Sequence, residues 1–402
     1  MRLNPVFSEL GDYPIATIQA RARDRRDAGL PIVDFSIGDP REPTPPFITQ
    51  AFKDAVPEVS QYPTAAGLAD FRAAVAGYVE RRFGVAVDSD TQVVPSSGAK
   101  EAIFSTPLAF VDRDAGDAIV YPTPGYPIYE RGARFAGAET VPIELDGDFV
   151  LRQGDIPGEV WDRARLVWVN SPHNPTGAVS SLDELAGLYQ RSMEAGSLLL
   201  SDEAYSDVFD EAVYPDGVPS ALQVADEGAA GLLSYLSLSK RSGMTGYRSG
   251  AIVGDAEAIA ALRALRSSTG TASPEFVQAA AIAAWGDDAH AAERRKIFAE
   301  KRRILAAAFD DLGLDIVGSQ AGLYLWVAVD DDMAVTDRLL GDGVVVSPGR
   351  FFGPGGEGYL RLALVPTLDE CDAAADTLRA VLSTAAPSGG SPDRTEGRGV
   401  KP

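Results

Sequence analysis

Ser237-Leu-Ser239-Lys240-Arg-Ser-Gly-Met-Thr-Gly246-Tyr247-Arg248 follows directly on the apolar run Gly231-Leu-Leu-Ser-Tyr-Leu236. A strand that ends in a lysine, with a serine on either flank and an arginine eight residues on, suggests one device. The amine can form an imine with an aldehyde cofactor, while hydroxyls and guanidinium hold that cofactor's phosphate. Lysine is scarce here: Lys53, Lys100, Lys240, Lys296, Lys301 and Lys401 are all there are. A solvated loop lysine remains the bland alternative for any one of them, so the rest of the chain must decide.

Outward from this stretch, residues 65–285 alternate short apolar strands with helical periodicity. Thr91–Val94, Ala118–Tyr121, Leu166–Val169, Ser197–Ser201, Leu232–Leu238 and Gly250–Gly254 read as strands. Gly67–Phe83, Lys100–Val111, Tyr126–Ala136 and Leu182–Ala195 read as helices. Strands that are apolar throughout, separated by helices, predict an α/β fold: a mostly parallel central sheet sandwiched by helices. Ligands of such sheets bind beyond the carboxyl ends of the strands.

After residue 286 the pattern changes. One long charged helix (His290–Leu312), strands near Gly322–Val327, Val344–Val346 and Tyr359–Val365, and a last helix from Leu368 predict a smaller α+β unit. Ile32–Phe35 is a strand without a neighbour in sequence, which assigns residues 1–48 to an N-terminal arm and part of that smaller unit. The expected division is therefore 1–48, a large unit over 49–286, a small unit over 287–385, and a polar disordered tail over 386–402.

Composition excludes several functions. The 402 residues carry a net charge of -22, which opposes both nucleic acid and an anionic membrane surface. Cys371 is the only cysteine and His173 and His290 the only histidines, so disulfide, CxxC and His-rich metal sites are out. No metal is expected. No apolar run reaches the ~18 residues of a membrane span, and the start carries no signal-peptide pattern, so the chain reads as cytoplasmic. No Gly-x-Gly-x-x-Gly follows an early strand, which argues against a nicotinamide dehydrogenase.

Four further motifs sit at predicted strand ends. Pro95-Ser-Ser97-Gly98-Ala99-Lys100 opens a helix whose free amides suit an anion. Tyr121-Pro-Thr-Pro-Gly-Tyr126 sets an aromatic side chain at a strand mouth, for stacking or for packing. Asn170-Ser-Pro-His173-Asn174-Pro-Thr-Gly177 fixes a turn and leaves Asn174 as a directed donor, with His173 read as structural. Ser201-Asp202-Glu203-Ala204-Tyr205 brings Asp202 out of a buried strand, as a site residue or as a helix cap.

Asn-Pro-x-Gly, then Asp-x-x-Tyr, then Ser-x-Ser-Lys with its arginine eight residues on, in this order, resembles the fold type I pyridoxal-phosphate enzymes over residues 10–383, and within them the class I/II aminotransferases. The resemblance implies pyridoxal 5'-phosphate as cofactor. It implies that Lys240 binds the aldehyde and then carries a proton between the substrate α-carbon and the cofactor. Asp202 would face the pyridine nitrogen, Asn174 and Tyr205 the phenolic oxygen, and Tyr126 the ring face. The phosphate would rest on Gly98, the Ala99 and Lys100 amides, Ser237, Ser239 and Arg248.

Arg361, in Tyr359-Leu-Arg-Leu-Ala, matches the arginine that grips the substrate α-carboxylate, and Gly38 the wall of that pocket. Tyr62 corresponds to a tyrosine lent to the phosphate across a homodimer interface. The expected reaction moves an amino group between an amino acid, with glutamate as donor, and a 2-oxo acid. Gly98-Ala-Lys-Glu-Ala-Ile-Phe104 and the Lys240 motif look most like the succinyldiaminopimelate and diaminopimelate branch of lysine biosynthesis. An aspartate or other amino-acid aminotransferase and a carbon–sulfur β-lyase are the alternatives. Arg21, Arg23, Arg41 and Arg241 are all candidates to read a distal carboxylate.

Overall fold

The computed structural model describes residues 1–10 and 15–383; the tail expected over 386–402 lies outside the described residues. After a two-residue strand β1 (Val33–Asp34), the chain builds a sheet from β2 (Val93–Ser96), β3 (Ala118–Thr123), β4 (Glu139–Glu144), β5 (Ala164–Asn170), β6 (Leu198–Asp202), β7 (Leu232–Ser237) and β8 (Gly250–Gly254). Their order is β2-β8-β7-β6-β5-β3-β4. β8 runs antiparallel to both neighbours and every other pairing is parallel. Two successive reversals leave β2 pointing the same way as β7, so the carboxyl ends of β2, β3, β5, β6 and β7 share one edge.

The strands are apolar because they are covered on both faces. Along β5, Val167 and Val169 join one core, and Leu166 and Trp168 the other. The first core is closed by the helices Ala69–Phe83, Leu182–Ala195 and Glu275–Trp285; the second by Ala99–Ser105, Ile128–Ala136 and Ala256–Thr269. The Leu182–Ala195 helix begins where Ser181 and Glu184 cap each other: Glu184 N donates to Ser181 Oγ at 3.2 Å, and Ser181 N to Glu184 Oε2 at 2.8 Å. It ends at Gly196 with φ +70°, a left-handed position that glycine fills without strain.

The smaller sheet pairs β11 (Ser347–Pro348), β12 (Tyr359–Ala363) and β9 (Tyr324–Ala328), in the order β11-β12-β9. β10 (Val344–Val345) pairs with β1 instead, so the early strand does join the late segment of the chain. The helices Ala289–Asp311 and Leu368–Ser383 cover this unit with Phe298, Leu305, Phe309, Cys371 and Leu378. Tyr205 and Val208, from the loop after β6, pack into the same core.

Three expectations are corrected. The helix expected over Lys100–Val111 is two, Ala99–Ser105 and Pro107–Phe110, because the ring of Pro107 cannot continue the hydrogen-bond ladder. The strand Glu139–Glu144 escaped notice because its edge position leaves it half exposed, with Pro142 within it. The strand expected over Val344–Val346 splits at Val346 between two different partners.

Leu185 is buried in the first core. Leu185→Ala is expected to lower the free energy of urea unfolding by about 2–5 kcal/mol. A loss below about 1 kcal/mol would show that this helix face is not close-packed.

Candidate active site

The loops that follow β2, β3, β5, β6 and β7, together with Tyr324 of β9 and Arg361 of β12, enclose one cavity of about 650 Å3. Gly38, Ala99, Lys100, Tyr126, Asn174, Asp202, Tyr205, Ser237, Ser239, Lys240, Arg248 and Arg361 all border it. Gly98 lies just behind: a Cβ there would meet Arg248 Nη2 at 2.6 Å, so the missing side chain is what admits the guanidinium. Gly98 also has φ +83°. Tyr62 does not reach this cavity and is fully exposed.

Lys240 is delivered by the short helix Leu238–Arg241, capped by Ser237 Oγ, which accepts from Ser239 N at 3.2 Å. Its Nζ donates to the Gly38 carbonyl. Burial lowers its pKa to about 8; Asp39 opposes this, and Arg248, Arg361 and Arg294 reinforce it. An amine with a pKa of about 8 is roughly a tenth neutral at pH 7 and mostly neutral above pH 8, where it can act as nucleophile and base.

Asp202 closes the far wall. It is 3% exposed and its Oδ2 accepts from Tyr129 Oη at 2.7 Å. Its Oδ1 accepts from Ala204 N at 3.2 Å, which closes a turn; no helix starts here, so Asp202 is not a helix cap. Burial raises its pKa to about 6, against the pull of the Tyr129 and Ala204 hydrogen bonds. The carboxylate can therefore hold a cation beside it but stays ionised above pH 6 without one.

A polar chain links the two units. Arg361 Nη1 donates to Asn174 Oδ1 at 3.0 Å and Nη2 to the Ser36 carbonyl at 2.5 Å. Asn174 Nδ2 lies 3.4 Å from Tyr205 Oη, which meets Tyr324 Oη at 2.8 Å. The Arg361 guanidinium sits between the rings of Tyr324 (4.6 Å) and Phe352 (4.4 Å). Its Nε is buried with no hydrogen-bond partner among the described residues. Burial keeps Tyr205 well above the ordinary phenol range, so it remains a donor. His173 does not border the cavity: its Nδ1 meets Thr176 Oγ1 at 2.8 Å, and burial drives its pKa down to about 3.

The donor set of the cavity matches a flat, phosphorylated, pyridine-containing aldehyde. One end of the cavity carries helix-start amides, two serines and a guanidinium, the complement of a buried phosphate. The buried carboxylate Asp202 matches a protonated ring nitrogen, and the amine of Lys240 an aldehyde. The residues present fit such a group.

The sequence missed Tyr324, which borders the cavity and holds Tyr205 and Arg361, and Tyr129, which holds Asp202. For Tyr129 the signal was available: its helix starts at the same turn as Tyr126. Three candidates for a distal carboxylate are engaged elsewhere. Arg241 is buried against Asp207 and Asp288, Arg21 pairs with Asp337 and Arg41 with Glu370, and neither they nor Arg23 border the cavity.

The family Aminotransferase class I and II matches residues 31–378. The chain is 36% identical to LL-diaminopimelate aminotransferase of Aquifex aeolicus, over 89% of this chain and 94% of that protein. It is 38% identical to LL-diaminopimelate aminotransferase 2 of Trichormus variabilis, over 89% and 93%. Among solved structures, an aminotransferase from Neisseria meningitidis superposes with a TM-score of 0.87 at 32% identity, over 96% of this chain and all of the other. The probable N-succinyldiaminopimelate aminotransferase of Thermus thermophilus gives 0.84 at 27% identity, over 91% and 99%. The chain belongs to the class I and II aminotransferases, and it is an enzyme that works with pyridoxal 5'-phosphate.

Proposed function

We propose that this aminotransferase moves an amino group from glutamate to a 2-oxo acid of the diaminopimelate route to lysine, with N-succinyl-diaminopimelate as the favoured product and free diaminopimelate the next candidate. The observation that carries the reading is the single cavity in which a depressed lysine amine, a buried carboxylate and a ring-clamped arginine face one another. The names borne by the Aquifex, Trichormus and Thermus relatives support the choice of pathway.

Bound pyridoxal phosphate supplies an electron-withdrawing ring that stabilises negative charge at the substrate α-carbon. In this reading Lys240 Nζ takes the proton from that carbon and returns one to the cofactor. Asp202 holds the ring nitrogen in its protonated state. Tyr205 and Asn174 donate to the phenolic oxygen, and Tyr126 covers the ring. Gly98, the Ala99 and Lys100 amides, Ser237, Ser239 and Arg248 hold the phosphate. Arg361 holds the α-carboxylate, with Gly38 beside it: a Cβ on Gly38 would meet Tyr324 Oη at 2.9 Å.

The same reading makes the enzyme a homodimer in which Tyr62 reaches the phosphate of the second subunit. Its support is an exposed patch of Phe47, Val56, Val59 and Tyr62. We take the division at residues 48, 286 and 385 with it, supported by a seven-stranded sheet confined to 93–254 and by the pairing of β1 with β10.

Three outcomes test the proposal. Glutamate added to the holoenzyme should convert the absorbance of the aldehyde form of the cofactor to that of its amine form. A panel with N-succinyl-diaminopimelate, diaminopimelate and aspartate should then rank the first highest by kcat/KM. Pyruvate released from cystathionine, without conversion by any donor, would instead identify a carbon–sulfur lyase. Lys240→Ala should remove the aldehyde-form absorbance and nearly all turnover, and wild-type rates in that variant would sink the role given to Lys240.

Arg361→Lys should raise KM for the amino donor about tenfold or more, since one point charge replaces a two-pronged grip; an unchanged KM would remove Arg361 from the substrate site. The half-reaction that starts from the amine form should accelerate as pH rises through about 8, as Lys240 loses its proton. A rate that is flat from about pH 6.5 to 9 would contradict Lys240 as the base.

A further inference from the structure

Behind the cavity lies a buried charge cluster that the reaction itself does not use. Asp207 follows Tyr205 by two residues and Asp202 by five; Arg241 follows Lys240 by one. Arg241 Nε lies 2.7 Å from Asp207 Oδ2, with side-chain exposures of 2% and 4%. Tyr78 Oη donates to Asp207 Oδ2 at 2.8 Å, and Arg82 Nε to Oδ1 at 3.3 Å. On its other side Arg241 donates from Nη1 to the Ala284 carbonyl at 3.0 Å and from Nη2 to Asp288 Oδ1 at 2.5 Å. Its guanidinium lies over the ring of Tyr78 at 4.9 Å.

From this we infer that Asp207 and Arg241 are positioning residues, which hold the Lys240 turn at a fixed offset from the segment that carries Asp202 and Tyr205. The inference rests on the role proposed for Lys240. The two segments follow β6 and β7, which pair in parallel as far as Asp202 and Tyr235. Beyond the sheet, the Asp207–Arg241 contact ties them again. Each half is stiffly joined to its neighbour in the site. Val208 N donates to the Tyr205 carbonyl at 2.9 Å and Ser206 N to that of Glu203 at 3.1 Å, so Asp207 lies within a closed turn. Arg241 and Lys240 share the one short helix Leu238–Arg241. A shift of the guanidinium therefore moves the backbone that aims Nζ. Misplacement on the scale of an ångström is enough to slow a proton transfer strongly.

A cluster that served stability alone would change unfolding and nothing else. The measurement uses purified holoenzyme and the amino donor of highest rate in the panel above. It reads kcat, KM and the pH midpoint of the bound cofactor's absorbance for Asp207→Asn, Arg241→Lys, Tyr78→Phe and, as a stability control, Leu185→Ala. Asp207→Asn is expected to lower kcat about tenfold, to change KM less than about threefold, and to move the midpoint by about 0.5 pH unit or more. Arg241→Lys replaces a fork that meets Asp207, Ala284 and Asp288 with a single point charge and should lower kcat about threefold or more. Leu185→Ala should move neither kcat nor midpoint.

Asp207→Asn with lowered stability but unchanged kcat and midpoint would overturn the inference. Should Asp207→Asn not accumulate as folded protein, Tyr78→Phe decides, since it removes a single hydroxyl. A moved midpoint with kcat about threefold lower supports the inference, and unchanged values refute it. Lys240→Ala separates the two levels. If it retains the titrating absorbance, the role of Lys240 has failed; if it loses that absorbance while the pair variants are inert, only the positioning role has failed.

Discussion

A lysine amine buried among cations is the interaction on which the site depends. Burial disfavours the charged form of Lys240, and Arg248, Arg361 and Arg294 add repulsion that Asp39 only partly offsets. Each of those arginines is fixed by something else. Arg248 donates to the Thr245 carbonyl at 2.9 Å, Arg361 is clamped between two rings, and Arg294 donates to the Pro43 carbonyl at 3.3 Å. Burial is the largest cause of the lowered pKa of Lys240, and the three arginines add to it. Asp202 shows the converse: a carboxylate is kept out of water and raised to about 6 while two donors limit the rise.

Most of the arrangement legible in the sequence was carried by the large sheet, while Arg361 and Gly38, outside it, came from the family resemblance. Leu166–Val169, Ser197–Ser201 and Leu232–Leu238 are apolar on both faces, which only a covered strand tolerates, and every polar motif stood at the end of such a strand. Asn174, Asp202 and Lys240 follow from that periodicity plus their punctuation. What stayed hidden came from contacts that no local pattern records. Tyr324 enters from a strand more than a hundred residues past Tyr205, and its neighbours read as ordinary core. Arg241 looked like a free cation beside the active lysine. Its carboxylate partners Asp207 and Asp288 lie far off in sequence on either side and meet it only in the folded chain.

The elements misread share a physical origin as well. Pro107 divides a helix whose apolar periodicity continues across it, so the period spoke for one helix and the ring decided for two. Glu139–Glu144 pairs with β3 alone and is half exposed. Its composition is that of a surface segment, although its backbone extends the sheet.

The acidic surface and the cationic cavity are not in conflict. The net charge of -22 is spread over the whole chain, whereas Lys100, Lys240, Arg248 and Arg361 face one cavity with only Asp39 and Asp202 against them. At physiological ionic strength a charge is screened within about 8 Å, so surface carboxylates beyond that range contribute little to the potential at the substrate. Across the cavity the same four cations act at closer range than those surface carboxylates. Under the proposed function, Lys240, Arg248 and Arg361 are the cations of this cavity that face the amine, the phosphate and the α-carboxylate.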